Sequence, residues 1–287
     1  MKKAMENVII KNPEELKRLK EGIYEGGAEK LHVLADFDKT LTTAFVDGKS
    51  VPSLISILRN ERYLTPDYAQ KANGLYEKYH PIEIDSRLPL EKKKEFMREW
   101  WETHFDLLIK SGLNKKDLEK VVASEKVQLR EGCEEFIDFL KANKIPLIIL
   151  SSSGLGGDII SMFLEKEDKL YDNICIISNS YEWDERGNAV AVKQPIIHGM
   201  NKDETLIRDL PVFNVIQNRK NVLLLGDNLE DIAMVKGFDC DNLIKIGFLN
   251  ENVGENLEAY KNNYDIVILN DSSMDYVNDL LKEIVKI

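Results

Sequence analysis

Leu31-His32-Val33-Leu34-Ala35-Asp36-Phe37-Asp38-Lys39-Thr40 is a short apolar run that ends on two carboxylates one residue apart. The run is too short for a typical helix and reads as a buried strand. Five further runs share its character, at residues 145–151, 173–178, 221–227, 243–247 and 264–269, each rich in Ile, Leu or Val. Helical patterns, such as those at 134–143 and 158–165, separate most of them. Strands that alternate with helices imply a parallel sheet covered on both faces, a Rossmann-like α/β core.

Ahead of the first run, Asn12-Pro13-Glu14-Glu15 opens a helix. Asn12 can cap it, Pro13 suits its first position, Glu15 can complete a capping box, and Gly26-Gly27 ends it. Residues 45–126 read differently: they are long, charged and mostly helical, clearest at 91–110 and 115–124, with no convincing buried strand. This stretch is expected to be a helical cap domain inserted after the first core strand. Residues 1–44 and 127–287 then form a discontinuous core. Residues 181–192 read as a hairpin turned by Asp184-Glu185-Arg186-Gly187-Asn188.

The 287 residues are 43% hydrophobic and 31% charged, a composition that can bury a full core. A net charge of −11 argues against nonspecific nucleic-acid binding. No apolar run is long enough to cross a bilayer, and no signal peptide is evident. Cys133, Cys175 and Cys240 match no metal or redox spacing, which suggests free thiols in a reducing compartment. A cytoplasmic protein, monomeric or weakly homo-oligomeric, is expected, with no nucleic-acid or membrane partner.

In an open parallel sheet, ligands bind beyond the carboxyl ends of the strands. Three strand ends carry useful chemistry. At the first, Asp36 and Asp38 point to one side if the chain stays extended; two anions so close need a cation, a proton or a bound metal. The alternative is an acidic turn in which Asp36 caps the next segment. At the second, Ser151-Ser152-Ser153-Gly154 offers hydroxyls and loop amides ahead of a helix near Asp158, a phosphate cradle. It has neither the Lys-Ser/Thr ending of a P-loop nor the dinucleotide fingerprint. At the third, Gly226-Asp227 and Asp231 lie four residues apart, on one face of any helix that starts there. The plain reading is a cap at Asp227 and a solvated Asp231. A cation is also required, and spacing does not choose between Lys202 and Lys193.

Asp36-x-Asp38-x-Thr40, Ser151, Lys202 and Gly226-Asp227-x3-Asp231 together resemble the four motifs of the haloacid dehalogenase superfamily of phosphatases. Glu77-Lys78-Tyr79-His80-Pro81-Ile82-Glu83-Ile84-Asp85, Arg130-Glu131-Gly132, Ile197-His198 and Ile246-Gly247-Phe248-Leu249-Asn250 further resemble the cytosolic 5'-nucleotidase III family. The resemblance implies magnesium-dependent hydrolysis of nucleoside 5'-monophosphates, pyrimidine or 7-methylguanosine. It implies Asp36 as nucleophile, Asp38 as acid/base, and Ser151 or Ser152 with Lys202 as phosphate ligands. Asp36, Asp227 and Asp231 would serve the metal, with the Asp38 backbone carbonyl. Glu83 matches a glutamate facing the nucleoside. Trp101 would stack on the base, with Phe45 as a second ring and His104 reshaping the pocket. Lys39 stands where relatives commonly carry methionine. The competing readings are the same chemistry on another phosphomonoester, such as phosphoserine or a sugar phosphate, and a non-catalytic phospho-ligand-binding module.

Overall fold

The apolar runs become strands. In a computed structural model that describes residues 6–85, 87–202, 210–237 and 239–286, the strands in chain order are β1 (Val8–Ile10), β2 (Leu31–Ala35), β3 (Phe45–Val46), β4 (Lys49–Ser50), β5 (Leu147–Leu150), β6 (Ile174–Ile177), β7 (Tyr181–Trp183), β8 (Ala189–Val192), β9 (Asn221–Gly226), β10 (Asn242–Leu249) and β11 (Ile266–Leu269). Among the described residues, seven of these form one sheet in the order β1-β11-β10-β9-β2-β5-β6. The six strands expected from the sequence are parallel. The seventh, β1, pairs antiparallel with β11 at the edge.

Alternate side chains of the central strands enter different clusters. Val33, Ala35, Leu147, Ile149, Leu223 and Leu225 pack with Phe37 and Phe136. Leu34, Ile148, Leu150, Val222 and Leu224 pack with Ile216 and Met234. Covering both faces is why these strands are apolar at nearly every position. From β2 the chain builds β5 and β6 on one side, then crosses to β9, β10 and β11 on the other. The crevice at this switch lies at the carboxyl end of β2, where Asp36 begins.

The first seven α-helices are α1 (Pro13–Gly26), α2 (Leu54–Asn60), α3 (Tyr68–Ile84), α4 (Leu90–Lys110), α5 (Lys115–Ala123), α6 (Cys133–Ala142) and α7 (Gly156–Lys166). Asn12 caps α1, its Oδ1 accepting from the Glu15 amide at 3.2 Å. The capping box is only half made, because the Glu15 carboxylate turns to Arg18 at 2.7 Å. α7 starts two residues before the expected Asp158, since Gly156 takes the left-handed φ of 78° that turns the chain into the helix. The β7–β8 hairpin forms as expected, Asp184 Oδ1 accepting from the Arg186 and Asn188 amides.

Between β2 and β5 the chain leaves the sheet through the small β3–β4 hairpin and runs through α2 to α5. It returns beside its own exit, where Thr42 and Leu129 form an antiparallel bridge. Leu54, Ile57, Leu58, Phe105 and Leu108 from this segment join the same apolar cluster as the sheet residues. Cys133 is buried, Cys175 and Cys240 are half-buried, and none of the three is in a disulfide. Among the described residues no helix is long and apolar enough to cross a membrane.

Candidate active site

Asp36 follows directly on β2, and its amide donates to Leu225 O on β9 at 3.0 Å. Asp38 stays extended (φ −67°, ψ 129°), and Lys39 then takes φ 58° and turns the chain away. Both carboxylates line one cavity of about 560 Å³. Ser151, Ser152, Lys202, Asp227 and Asp231 line the same cavity. Three strand ends and a distant lysine thus meet at one point, although up to 195 residues separate Asp36 from Asp231 in the chain.

Lys202 is buried, and its Nζ donates to Asp36 Oδ1 and, at 3.1 Å, to Asp231 Oδ1. Burial alone would depress this ammonium, but Asp231 and Asp36 outweigh it and hold Lys202 charged. Lys193, the rival cation, is exposed and lies outside the cavity lining. Residues 203–209, which follow Lys202, lie outside the described residues. Asp36 does not cap the following segment through its side chain. Burial pushes its carboxyl up to about 7, opposed by Lys202 and reinforced by Asp231. Burial also raises Asp38, and it holds Asp227 well above the ordinary carboxylate range.

Asp231 is buried, not solvated. Its Oδ2 accepts from the amides of Asp227 at 3.2 Å and Asn228 at 3.0 Å, so Asp231 shapes the loop that presents Asp227. Asn228, and not Asp227, caps the 3-10 helix Leu229–Val235. A side chain at Gly226 would place its Cβ 2.5 Å from Asp231 Cβ, which is why glycine precedes Asp227. Carboxylate oxygens of Asp36, Asp227 and Asp231 all lie within 4.8 Å of one another. Three hard oxygen donors balanced by one ammonium fit a divalent cation such as magnesium. The Asp38 carboxylate is not part of this group.

The loop after β5 is built on its own serines. Ser151 Oγ accepts from the Ser153 amide at 3.2 Å, and Ser153 Oγ from the Leu155 amide at 3.3 Å. The amides of Ser152 and Gly154 have no partner among the described residues, so they are open to an anion.

Glu83 and Trp101 form part of the opposite wall of the cavity. Glu83 Oε2 pairs with His80 Nδ1 at 3.2 Å, and Lys93 Nζ donates to Glu83 O at 2.9 Å. Trp101 packs on Phe105, with ring centroids 5.4 Å apart. It also lies so near Gly154 that a Cβ there would meet its ring at 3.0 Å. A second cavity of about 290 Å³ shares Asp38, Ser152 and Trp101 with the first and adds Tyr76, Trp100 and His104. His104 accordingly lines the second cavity and not the first. Its Nε2 meets Tyr68 Oη at 3.1 Å, and burial lowers its pKa to about 4, which keeps it neutral. Phe45 lines neither cavity; its amide is pinned to Asp271 at 2.9 Å.

Several supporting residues escaped the sequence reading. Asn179 Nδ2 donates to Ser153 O at 3.1 Å and to Ile197 O at 2.9 Å, tying the serine loop to the segment that leads to Lys202. Tyr260 and Tyr264 donate to the carbonyls of Asp227 and Asn228, and their rings stack at 5.5 Å. No local motif marks Asn179 or Tyr260, because each acts on backbone away from its own stretch of sequence; Tyr264 falls in Tyr264-Asp265-Ile266-Val267, a stretch that also resembles the cytosolic 5'-nucleotidase III family.

The profile of the pyrimidine 5'-nucleotidase (UMPH-1) family matches residues 39–285. A 7-methylguanosine phosphate-specific 5'-nucleotidase A from Xenopus laevis is 34% identical over 278 residues, covering 96% of this chain and 95% of the relative. A crystal structure of cytosolic 5'-nucleotidase IIIB bound to cytidine superposes with a TM-score of 0.89 at 28% identity, covering 98% of this chain and 94% of the other. A HAD-family hydrolase from Salmonella enterica serovar Typhi, at 16% identity and a TM-score of 0.58, shares the fold; it covers 96% and 81% of the two chains.

Proposed function

The chain belongs to the pyrimidine 5'-nucleotidase (UMPH-1) family, and from this premise we propose that it hydrolyses nucleoside 5'-monophosphates through an aspartyl-phosphate on Asp36. The observation that carries the reading is the Lys202 ammonium held between Asp36 and Asp231, with Asp38 and Asp227 on the same cavity. Residues 45–126 act as the cap, whose α3 and α4 supply Glu83 and Trp101 to the wall. The protein works in the cytosol.

An Asp36 oxygen attacks phosphorus in line, and the bond from phosphorus to the 5'-oxygen breaks. Asp38, whose carboxyl burial raises above its ordinary range, gives its proton to the departing 5'-oxygen. It then takes a proton from the water that cleaves the phosphorus–Asp36 bond, which restores both carboxyls. Lys202, the hydroxyl of Ser151 or Ser152 and the open amides of Ser152 and Gly154 offset charge on the transferring oxygens. Asp36, Asp227, Asp231 and the Asp38 carbonyl would hold a magnesium ion, which would supply further charge neutralisation. The nucleoside lies toward Trp101 and Glu83, and the second cavity behind Trp101 gives room for the base.

The test is turnover of UMP, CMP, 7-methyl-GMP and phosphoserine with magnesium. Nucleotides are expected to be turned over and phosphoserine to be poor; the reverse order would overturn the nucleotide reading. Because an indole attracts a cationic ring, Trp101→Leu is expected to raise KM for 7-methyl-GMP by about 3–10-fold and to change UMP less. Equal effects on both would remove Trp101 from base recognition.

The site also sets a pH dependence. Asp36 is raised from 3.8 to about 7 in the folded, metal-free protein. Between these values the folded state binds a proton that the unfolded chain has lost. The associated stability is complete below pH 3.8 and is lost as pH rises through about 7. The metal-free protein is therefore expected to lose about 2 kcal/mol between pH 5 and 7. Magnesium must displace that proton, so its stabilising effect should grow over the same range. Melting midpoints with magnesium or with chelator, at pH 5.5 and 7.5, measure this; equal magnesium shifts at both pH values would contradict it.

A further inference from the structure

The turn that follows Asp38 is closed by the Lys39 amide donating to Thr42 Oγ1 at 2.8 Å and the Thr42 amide donating to Phe37 O at 3.2 Å, and it is braced from outside as well. Lys39 sits in the left-handed region, a conformation that costs a residue with a side chain about 1 kcal/mol. Arg130, on the segment that brings the chain back from the cap, supplies the outside brace. Its side chain is 1% exposed. Nε donates to Thr40 O at 2.8 Å, and Nη2 donates to Lys39 O and, at 3.1 Å, to Asn250 Oδ1. Nη1 donates to Ser272 O at 2.8 Å and pairs with Asp271 Oδ1 at 2.9 Å. The Arg130 amide donates to Leu41 O at 2.9 Å. The guanidinium lies 4.3 Å from the centre of the Phe248 ring.

Asp271 extends the same contact to the outgoing strand. Its carboxylate accepts from the Ala44 amide at 2.9 Å, the Phe45 amide at 2.9 Å and Thr43 Oγ1 at 2.7 Å. One ion pair, its arginine buried, therefore binds the turn that carries Asp38 and both segments that join the core to the cap. A guanidinium suits this place, since its planar fork can reach several carbonyls at once and a lysine cannot.

We propose that Arg130 and Asp271 are positioning residues for Asp38: together they fix the turn at Lys39–Thr42 and the first residues of the cap segment, so that the acid and the cap wall keep register. The proposal rests on the phosphohydrolase reading above. A misplacement of about 1 Å at a catalytic group can cost as much as 100-fold in rate.

The experiment uses the full chain carrying Arg130→Lys, and separately Asp271→Asn, assayed well below each variant's melting midpoint with both p-nitrophenyl phosphate and UMP. For Arg130→Lys, kcat on p-nitrophenyl phosphate is expected to fall about tenfold with KM within about threefold. The limb of the kcat–pH profile that reports the acid should shift with it. A fall of less than about fivefold, or one carried by KM, overturns the proposal. For Asp271→Asn, amide hydrogen exchange should quicken at residues 43–45 while β2 and β9 keep their protection. Unchanged exchange there, or a general loss of protection, also overturns it. A wild-type protein that cleaves p-nitrophenyl phosphate and not UMP would sink the nucleotide reading and leave this test standing; exchange reports the clamp without any turnover.

Discussion

Asp36→Asn should abolish turnover, by at least about 10⁴-fold, while leaving the fold intact. The amide keeps the shape of the carboxylate, and its oxygen can still accept from Lys202 Nζ, as Asp36 Oδ1 does now. It cannot attack phosphorus. The stability of the variant should move the other way. Asp36, Asp227 and Asp231 crowd within 4.8 Å around a single ammonium, and Asp36 is already raised to about 7 by burial. Removing one of these charges relieves repulsion, so the metal-free variant should melt higher than wild type at pH 7.5, where wild-type Asp36 is ionised. Near pH 5, where wild-type Asp36 holds a proton, the difference should shrink. Loss of activity joined to gain of stability marks a site whose charges are arranged for chemistry at the expense of the fold. Steady-state assays and thermal melts at both pH values read it directly. More than about 1% residual turnover would place the nucleophile elsewhere.

How far the sequence reveals this site follows from the range over which each residue acts. The six parallel strands are plain because burial on both faces makes them continuously apolar, and Asp36, Ser151 and Asp227 follow because each ends such a run. β1 is three half-buried residues on an edge, too short and too weakly patterned to stand out. Spacing does not choose between Lys202 and Lys193; the route of the chain buries one against Asp36 and leaves the other in solvent. The Glu15 cap failed for a different reason, since Arg18 one turn away competes for the same carboxylate. Arg130, Asn179, Tyr260 and Asp271 act through backbone or side-chain groups 18 to 228 residues away, beyond the span of a local motif. Phe45 was read as a ring for the base, but its neighbourhood is set by Asp271, which holds its amide, and neither cavity reaches it.

Lys202→Met should give the second large effect, on stability and on rate together. Lys202 is the cation that directly contacts both Asp36 and Asp231. Methionine fills the volume but leaves two buried carboxylates unpaired, and breaking such a pair typically costs about 3–5 kcal/mol. That cost is expected in metal-free protein at pH 7.5. The sign of its pH dependence follows from the carboxyls. Without the ammonium the Asp36 carboxyl is raised further, so it holds its proton more firmly at pH 5.5 and the penalty there should shrink. Turnover should fall by about 10²–10³-fold even with saturating magnesium, because a fixed positive charge no longer meets the transferring oxygens. Lys202→Arg tests whether charge alone suffices. Its planar fork is bulkier than the ammonium that now reaches two carboxylates from one point, so the arginine variant should regain stability at pH 7.5 and little of the rate. If arginine restored both, the site would need only a cation; if methionine left stability unchanged at pH 7.5, the charge balance assigned to this site would be wrong.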